Sequence, residues 1–324
     1  MCGGLGNQLF QYAYGKYLSN NNYDVRYDTL LGFVRDFKLG INSYINAVRF
    51  IKKHKLWIYF LFPIIIFFAI YYIGFTFQEL KRGYTAGDDA GMIKKVWYFF
   101  VSGFFLMMSY VIFNFMRYIL IILISPVLSV VSEKVEKIIT GNKYKFNLKQ
   151  LIKDIKRTIN LAIRNVFFEF GIVYGVALIL YIIFWIVPAP EGTAKFISSQ
   201  FAMVVAFYYY GFGFIDFMNE RRRLTIKESV KFGKKHKGFA VALGLVFTLF
   251  FHYTNKYFIE VKEDVSSNTF MFIIIISSII MAVIPIVTMV AATLGVHELV
   301  DLNKNAFALK EEDKSNENKG TIEQ

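Results

Sequence analysis

The chain has 324 residues, 56% of them hydrophobic and 19% aromatic, and a formal net charge of +13. A water-soluble domain is about 45–50% apolar, and here the excess is gathered into long uncharged runs rather than spread at core spacing. A soluble globular protein is therefore excluded, and basic residues lying between apolar runs speak for a membrane surface rather than nucleic acid as their counter-charge. The single cysteine, Cys2, excludes an internal disulfide.

In chain order, residues 3–18 read Gly-Gly-Leu-Gly-Asn-Gln-Leu-Phe-Gln-Tyr-Ala-Tyr-Gly-Lys-Tyr-Leu. This resembles the opening motif of bacterial α-1,2-fucosyltransferases up to about Asp28. In that family a strand leads into the glycine loop, where a helix N-terminus faces a nucleotide phosphate. Only Met1 and Cys2 precede the loop here, and the family's downstream His-x-Arg-Arg-x-Asp motif is absent. Residues 1–28 are therefore read as an orphan, inactive fucosyltransferase-like fragment. Residues 1–50 contain no compact apolar leader, so the first apolar run itself directs insertion.

Six runs then reach or nearly reach the roughly 18 residues that cross a bilayer core as a helix. They are Leu56–Phe77, Val96–Val131 (interrupted only by Arg117), Phe170–Val187, Phe196–Ile215, Gly238–Asn255 and Val265–Val296. Runs joined by a short turn either cross twice or dip in and return, as Val187-Pro188-Ala189-Pro190 allows. Pro63, Pro126 and Pro285 are read as tolerated kinks. The expected fold is all-α, a polytopic integral membrane protein with about 4–6 membrane helices, some of them hemi-penetrating.

The segments between the runs differ in charge. Lysine and arginine crowd the stretch before Leu56, the stretch 132–165 and the stretch 219–238, whereas 188–195 and 256–264 are poor in them. By the positive-inside rule the basic segments and both termini face the cytoplasm. Within 132–165, Leu148, Leu151, Ile152, Ile155, Ile159 and Ala162 recur at helical spacing opposite Lys149, Lys153, Lys156 and Arg157. That pattern predicts an amphipathic helix lying on the interface. Thr225-Ile226-Lys227-Glu228 fits a capping box opening a further basic helix. Residues 303–324 read as a disordered cytoplasmic tail.

Three stretches carry a second resemblance. They are Ser125-Pro126-Val127-Leu128 with Glu133-Lys134-Val135-Glu136 and Thr140-Gly141; Tyr210-Gly211-Phe212 with Asp216-Phe217, Arg221-Arg222-Arg223 and Glu228-Ser229; and Ala291-Ala292-Thr293-Leu294. In order and spacing, residues 31–302 resemble the CysZ-type sulfate permeases and the related etoposide-induced-protein family. The resemblance implies a helical protein of the bacterial inner membrane that assembles as a homo-oligomer and takes up sulfate or another small anion. It implies no enzymatic activity, and an accessory membrane role without transport stands as the alternative. In sulfate-binding members the anion sits at a Gly-hydrophobic-Arg turn before the first membrane helix. Here Lys55-Leu56-Trp57 occupies that place, without the glycine or the arginine's bidentate fork.

The candidate anion-binding residues are accordingly Lys52, Lys53, Lys55 and the intramembrane Arg117, with Glu169 and Asp216 as candidate partners of Arg117. Arg221, Arg222 and Arg223 are assigned to the membrane surface, against anionic lipid. Expected partners are membrane lipids, a small anion and further copies of the chain. The four histidines have no metal-ligand spacing, and neither metal nor cofactor is expected. A single cysteine introduced at Lys234, in a Cys2→Ser background, should resist an impermeant thiol reagent in intact cells. Labelling from outside would overturn the orientation.

Overall fold

The computed structural model describes residues 29–83, 91–144, 148–187, 190–261 and 267–304; a few side chains within these stretches, that of Arg117 among them, are not among those described. The segment 1–28, with its glycine-rich motif, and the tail beyond residue 304 lie outside the described residues as well.

Every regular element among the described residues is helical. Helix α1 spans Thr29–His54, followed by a 3-10 turn at Leu56–Phe60. Then come α2 (Leu61–Gly83), α3 (Met92–Thr140), α4 (Leu148–Ile186), α5 (Thr193–Arg221), α6 (Ile226–Lys235), α7 (Lys237–Val261) and α8 (Ser267–Leu299), with a last 3-10 turn at Leu302–Lys304. Among the described residues seven stretches are long and apolar enough to cross a membrane, above the expected 4–6. The surplus arises in α3, a single helix of 49 residues carrying two such stretches, Met92–Ile112 and Tyr118–Thr140. At 1.5 Å per residue it is about 74 Å long, far beyond one perpendicular crossing of a roughly 30 Å core.

Pro126 lies inside α3 without ending it. Proline removes the N–H that would bond the carbonyl four residues back, here that of Ile122. The Ser125 hydroxyl donates to that carbonyl at 2.7 Å, so no acceptor is stranded in the membrane. At the C-terminus of α3, Gly141 adopts φ 76° and donates its N–H to the Lys137 carbonyl, a left-handed stop that explains the Thr140-Gly141 pair.

The predicted amphipathic surface helix is not a separate element. Residues 132–140 are the last turns of α3. Leu148–Ala162 are the first turns of α4, which runs unbroken for 39 residues into the next apolar run. The predicted capping box is present: the Thr225 side chain accepts from the Glu228 N–H, and the Glu228 carboxylate accepts from the Thr225 N–H. Those bonds hold the Glu228 carboxyl below its ordinary value.

The core is built around α5, α7 and α8, with α1, α2 and the second half of α3 packed onto it. Helices α5 and α7 meet backbone to backbone. A Cβ on Gly211 would lie 1.8 Å from the Ala240 carbonyl oxygen, and one on Gly244 would lie 1.7 Å from that of Phe207. Small residues at such crossings let membrane helices gain dispersion contact where lipid removes the hydrophobic drive. Around it pack Tyr210, Phe214, Phe247 and Phe251. By contrast the outer face of α4 presents Phe167, Tyr174, Leu178, Tyr181 and Trp185, and the first half of α3 presents Ile93, Trp97 and Phe99, all exposed. Apolar exposure on this scale suits a lipid-facing or subunit-facing surface.

Helix α1 was not legible as an element of the bundle. It buries Asp36, Gly40, Ser43, Tyr44, Ala47 and Ile51 along one stripe. Tyr44 donates to the Leu243 carbonyl at 2.6 Å and pairs with Thr288 at 2.9 Å. The His236 imidazole Nδ1 lies 2.8 Å from Asp36, which also takes Arg35 at 2.8 Å. Burial pushes the Asp36 carboxyl up, but the hydrogen bonds and charge of His236 and Arg35 outweigh it and hold the group below its ordinary value.

The α5–α7 crossing makes a testable demand. Gly211→Ala should cost about 1–3 kcal/mol or more of stability in detergent, because the helices must separate to admit the methyl group. Gly213→Ala, with nothing within 4 Å of the new atom, should be neutral or stabilising. Equal unfolding midpoints for the two variants would show that the crossing does not limit stability.

Candidate functional site

The end of α5 gathers the buried charge. Asp216, Asn219 and Arg221 lie in its last two turns, Arg222 caps it, and together they reach α3, α4 and α6. Two ion pairs result.

The first joins α4 to α5. The Arg157 guanidinium donates from Nε and Nη2 to the two Asp216 oxygens, at 3.0 and 2.8 Å, and from Nη1 to the Leu224 carbonyl at 2.6 Å. This is the two-pronged geometry that suits Arg to planar or tetrahedral oxyanions. Asp216 also accepts from the Ser229 hydroxyl of α6, Ser229 accepts from Asn219, and Asn219 accepts from Arg222. Arg222 stacks over the Phe232 ring, and burial lowers its pKa below the ordinary arginine value.

The second joins α3 to α5. Arg221 Nε donates to Glu136 at 2.9 Å and Nη2 to the Ser132 hydroxyl at 2.6 Å. Ser132 is bonded in turn to Thr293 of α8 at 2.9 Å. The other Glu136 oxygen accepts from Asn142 at 3.1 Å and from the Tyr144 hydroxyl. Asn142 also donates to the Leu302 carbonyl at 2.9 Å, fastening the final turn to the end of α3. Arg221 Nη1 is enclosed and has no hydrogen-bond partner among the described residues. A buried guanidinium donor left open costs free energy until an oxygen meets it.

Between α3, α4 and α5 lies a cavity of about 30 Å³, lined by Tyr118, Asn165, Tyr209, Tyr210, Asp216 and Glu220 among others. It has room for a water molecule or two, not for a polyatomic anion. Beside it the Tyr118 hydroxyl donates to the buried Glu169 carboxylate.

The sequence-predicted residues are distributed unevenly. Lys52, Lys53 and Lys55 sit together, exposed, at the end of α1. Lys55 takes a left-handed conformation, φ 54°, where the chain turns into the 3-10 segment. The Arg117 side chain is not among those described; of its candidate partners, Asp216 is forked by Arg157 and Glu169 accepts from Tyr118. Arg221, assigned to the lipid surface, is turned inward with its side chain 11% exposed, because the buried Glu136 requires a cation. Arg222 is half-buried, and only Arg223 of the triplet is exposed. Arg157 and Glu136 were missed as site residues. Glu136 carried a signal, a carboxylate on the helical stripe of Leu128, Val131, Ser132 and Val135; Arg157 carried none in its own segment. No group of three or more His, Cys, Asp or Glu side chains able to hold a metal occurs among the described residues.

The residues that meet here come in large part from the three separated stretches: Glu136 with Arg221, Asp216 with Ser229, and Thr293 through Ser132. Residues 43–253, more than half of the chain, match the family described as sulfate transporter CysZ/etoposide-induced protein 2.4. The chain belongs to the CysZ/etoposide-induced-protein family. No curated protein matches it.

The Glu136–Arg221 pair predicts a specific pattern of stabilities. Glu136→Gln should cost about 3–5 kcal/mol, because it strands a buried guanidinium, whereas Glu136→Gln with Arg221→Met should recover a large part of that loss. Reversible unfolding in detergent measures both. Strictly additive costs would show that the two side chains do not act as a pair.

Proposed function

We propose that this protein is a multi-pass transport protein of the bacterial inner membrane that moves a small anion, sulfate first among candidates, and carries out no chemistry on it. The carrying observation is the Arg221 guanidinium. It is enclosed in the bundle, held by Glu136 and Ser132, and keeps Nη1 open to an incoming oxygen. Arg157, forked onto Asp216, is a second guanidinium that an oxyanion can take over from a carboxylate. The family's description as a sulfate transporter supports the same reading.

Both arginines are already occupied by carboxylates, and the adjoining cavity is too small for sulfate. This arrangement corresponds to a closed state, in which α4 must shift against α5 before an anion passes. Lys52, Lys53 and Lys55 then serve as a loose electrostatic funnel at the mouth of the first membrane helix. A lysine cluster attracts an anion but lacks an arginine's fork, so binding there is weak and sensitive to salt. The same two ion pairs favour a second reading, an accessory membrane protein in which they only lock helices together.

Uptake of radiolabelled sulfate in a sulfate-transport-deficient host separates the two readings. Transport predicts saturable uptake, reduced by Arg221→Lys and weakened at low sulfate by Lys53→Gln with Lys55→Gln, at unchanged expression. Deleting residues 1–28 should leave that uptake intact. A well-inserted chain that supports no uptake above background would select the accessory role.

A further inference from the structure

Helix α1 carries three stripes, not two. One faces the bundle through Asp36, Gly40, Tyr44, Ala47 and Ile51. Beside it runs an apolar stripe that the bundle leaves uncovered: Val34, Ile45 and Val48 are 55%, 52% and 56% exposed. Their spacings of eleven and three residues keep them on one side of a helix. Further round, Arg35, Lys38, Arg49 and Lys53 are all exposed and form a third, basic stripe. Lys52 enters the apolar side only at the last turn.

The level of this helix is set by the turn at its C-terminal end. There Lys55 redirects the chain through a left-handed residue, so α1 and α2 are not collinear. Immediately after it stand Trp57, 55% exposed, and the start of the apolar stretch Leu56–Lys81. An outward tryptophan at the head of a membrane span marks the interfacial level. A helix about 39 Å long that ends at that level, with adjacent apolar and cationic stripes, fits the boundary between headgroups and acyl chains. The cationic stripe selects the charge of what it meets.

We propose that α1 is an interfacial helix whose Arg35, Lys38, Arg49 and Lys53 stripe binds anionic phospholipid headgroups while Val34, Ile45 and Val48 enter the acyl boundary. The occupant of this face is the lipid leaflet, and the bundle presents α1 to it through the Asp36–His236 contact and the close approach of Gly238 to the Phe33 carbonyl.

The test uses the full chain with Cys2→Ser in phosphatidylcholine vesicles doped with spin-labelled phosphatidylglycerol or spin-labelled phosphatidylcholine. The protein should immobilise the anionic lipid preferentially. Lys38→Gln with Arg49→Gln, both at exposed positions, should lower that preference by about fivefold per charge removed. Separately, a nitroxide at Val48→Cys should be relaxed more by oxygen than by a water-soluble nickel chelate, and one at Lys38→Cys the reverse. An unchanged lipid preference in the double variant overturns the proposal. So does a Val48 label open to the nickel chelate, which would put the stripe in water. A Val48 label shielded from both relaxants would mean that protein, a second copy or a partner, covers the face, and would overturn it too.

Discussion

The contact on which the arrangement depends is the crossing of α5 and α7 at Gly211 and Gly244, where each glycine faces the other helix's backbone with no room for a side chain. A crossing this close fixes the rotation of α5 about its own axis. Asp216 and Arg221, five and ten residues further on, then fall on flanks of the helix that α7 does not cover. One flank meets α4 and the other meets α3, which is where Arg157 and Glu136 are found. The aromatic packing of Tyr210, Phe214, Phe247 and Phe251 fills the space the crossing leaves.

Three buried carboxylates therefore find their partners on elements remote in sequence: Asp36 the His236 imidazole, Glu136 the Arg221 guanidinium, Asp216 that of Arg157. Buried ion pairs are a poor source of net stability, since desolvation consumes most of the Coulombic gain. Their value lies in specifying one packing, because any misregistered arrangement leaves a charge unmatched in a medium that cannot solvate it. The proposed transport asks a further thing of the two arginine pairs, that a carboxylate be exchanged for another anion without the guanidinium ever standing unpaired.

The class of the fold and the positions of the apolar runs were legible because a bilayer imposes a length on uncharged sequence that no soluble core requires. The capping box at Thr225 was legible because it is local. The destination of Arg221 was not. Three consecutive arginines read as a surface cluster, and only the buried Glu136, 85 residues away in the chain, turns the first of them inward. Likewise Arg157 stands beside Lys153 and Lys156, both exposed, and nothing in its own segment marks it as the residue that meets Asp216. Helix α1 escaped notice for the opposite reason: its buried stripe contains aspartate, glycine, serine and tyrosine, which do not read as a core until the small residues of α7 and α8 are seen to receive them.

The joint at Asn142 has a temporal side. Asn142 binds Glu136, six residues earlier, and the carbonyl of Leu302, 160 residues later. A ribosome delivers the chain from its N-terminus, at about 5–20 residues per second. Glu136 is therefore threaded toward the bilayer seconds before Arg221 exists, and Asn142 longer still before Leu302 does. During that interval the carboxylate has to remain in water or enter as the neutral acid. Assembly of the bundle consequently includes a late clasp: the 3-10 turn at Leu302–Lys304, emerging after the apolar stretches of α2 to α8, closes over a charge pair that had been waiting for it.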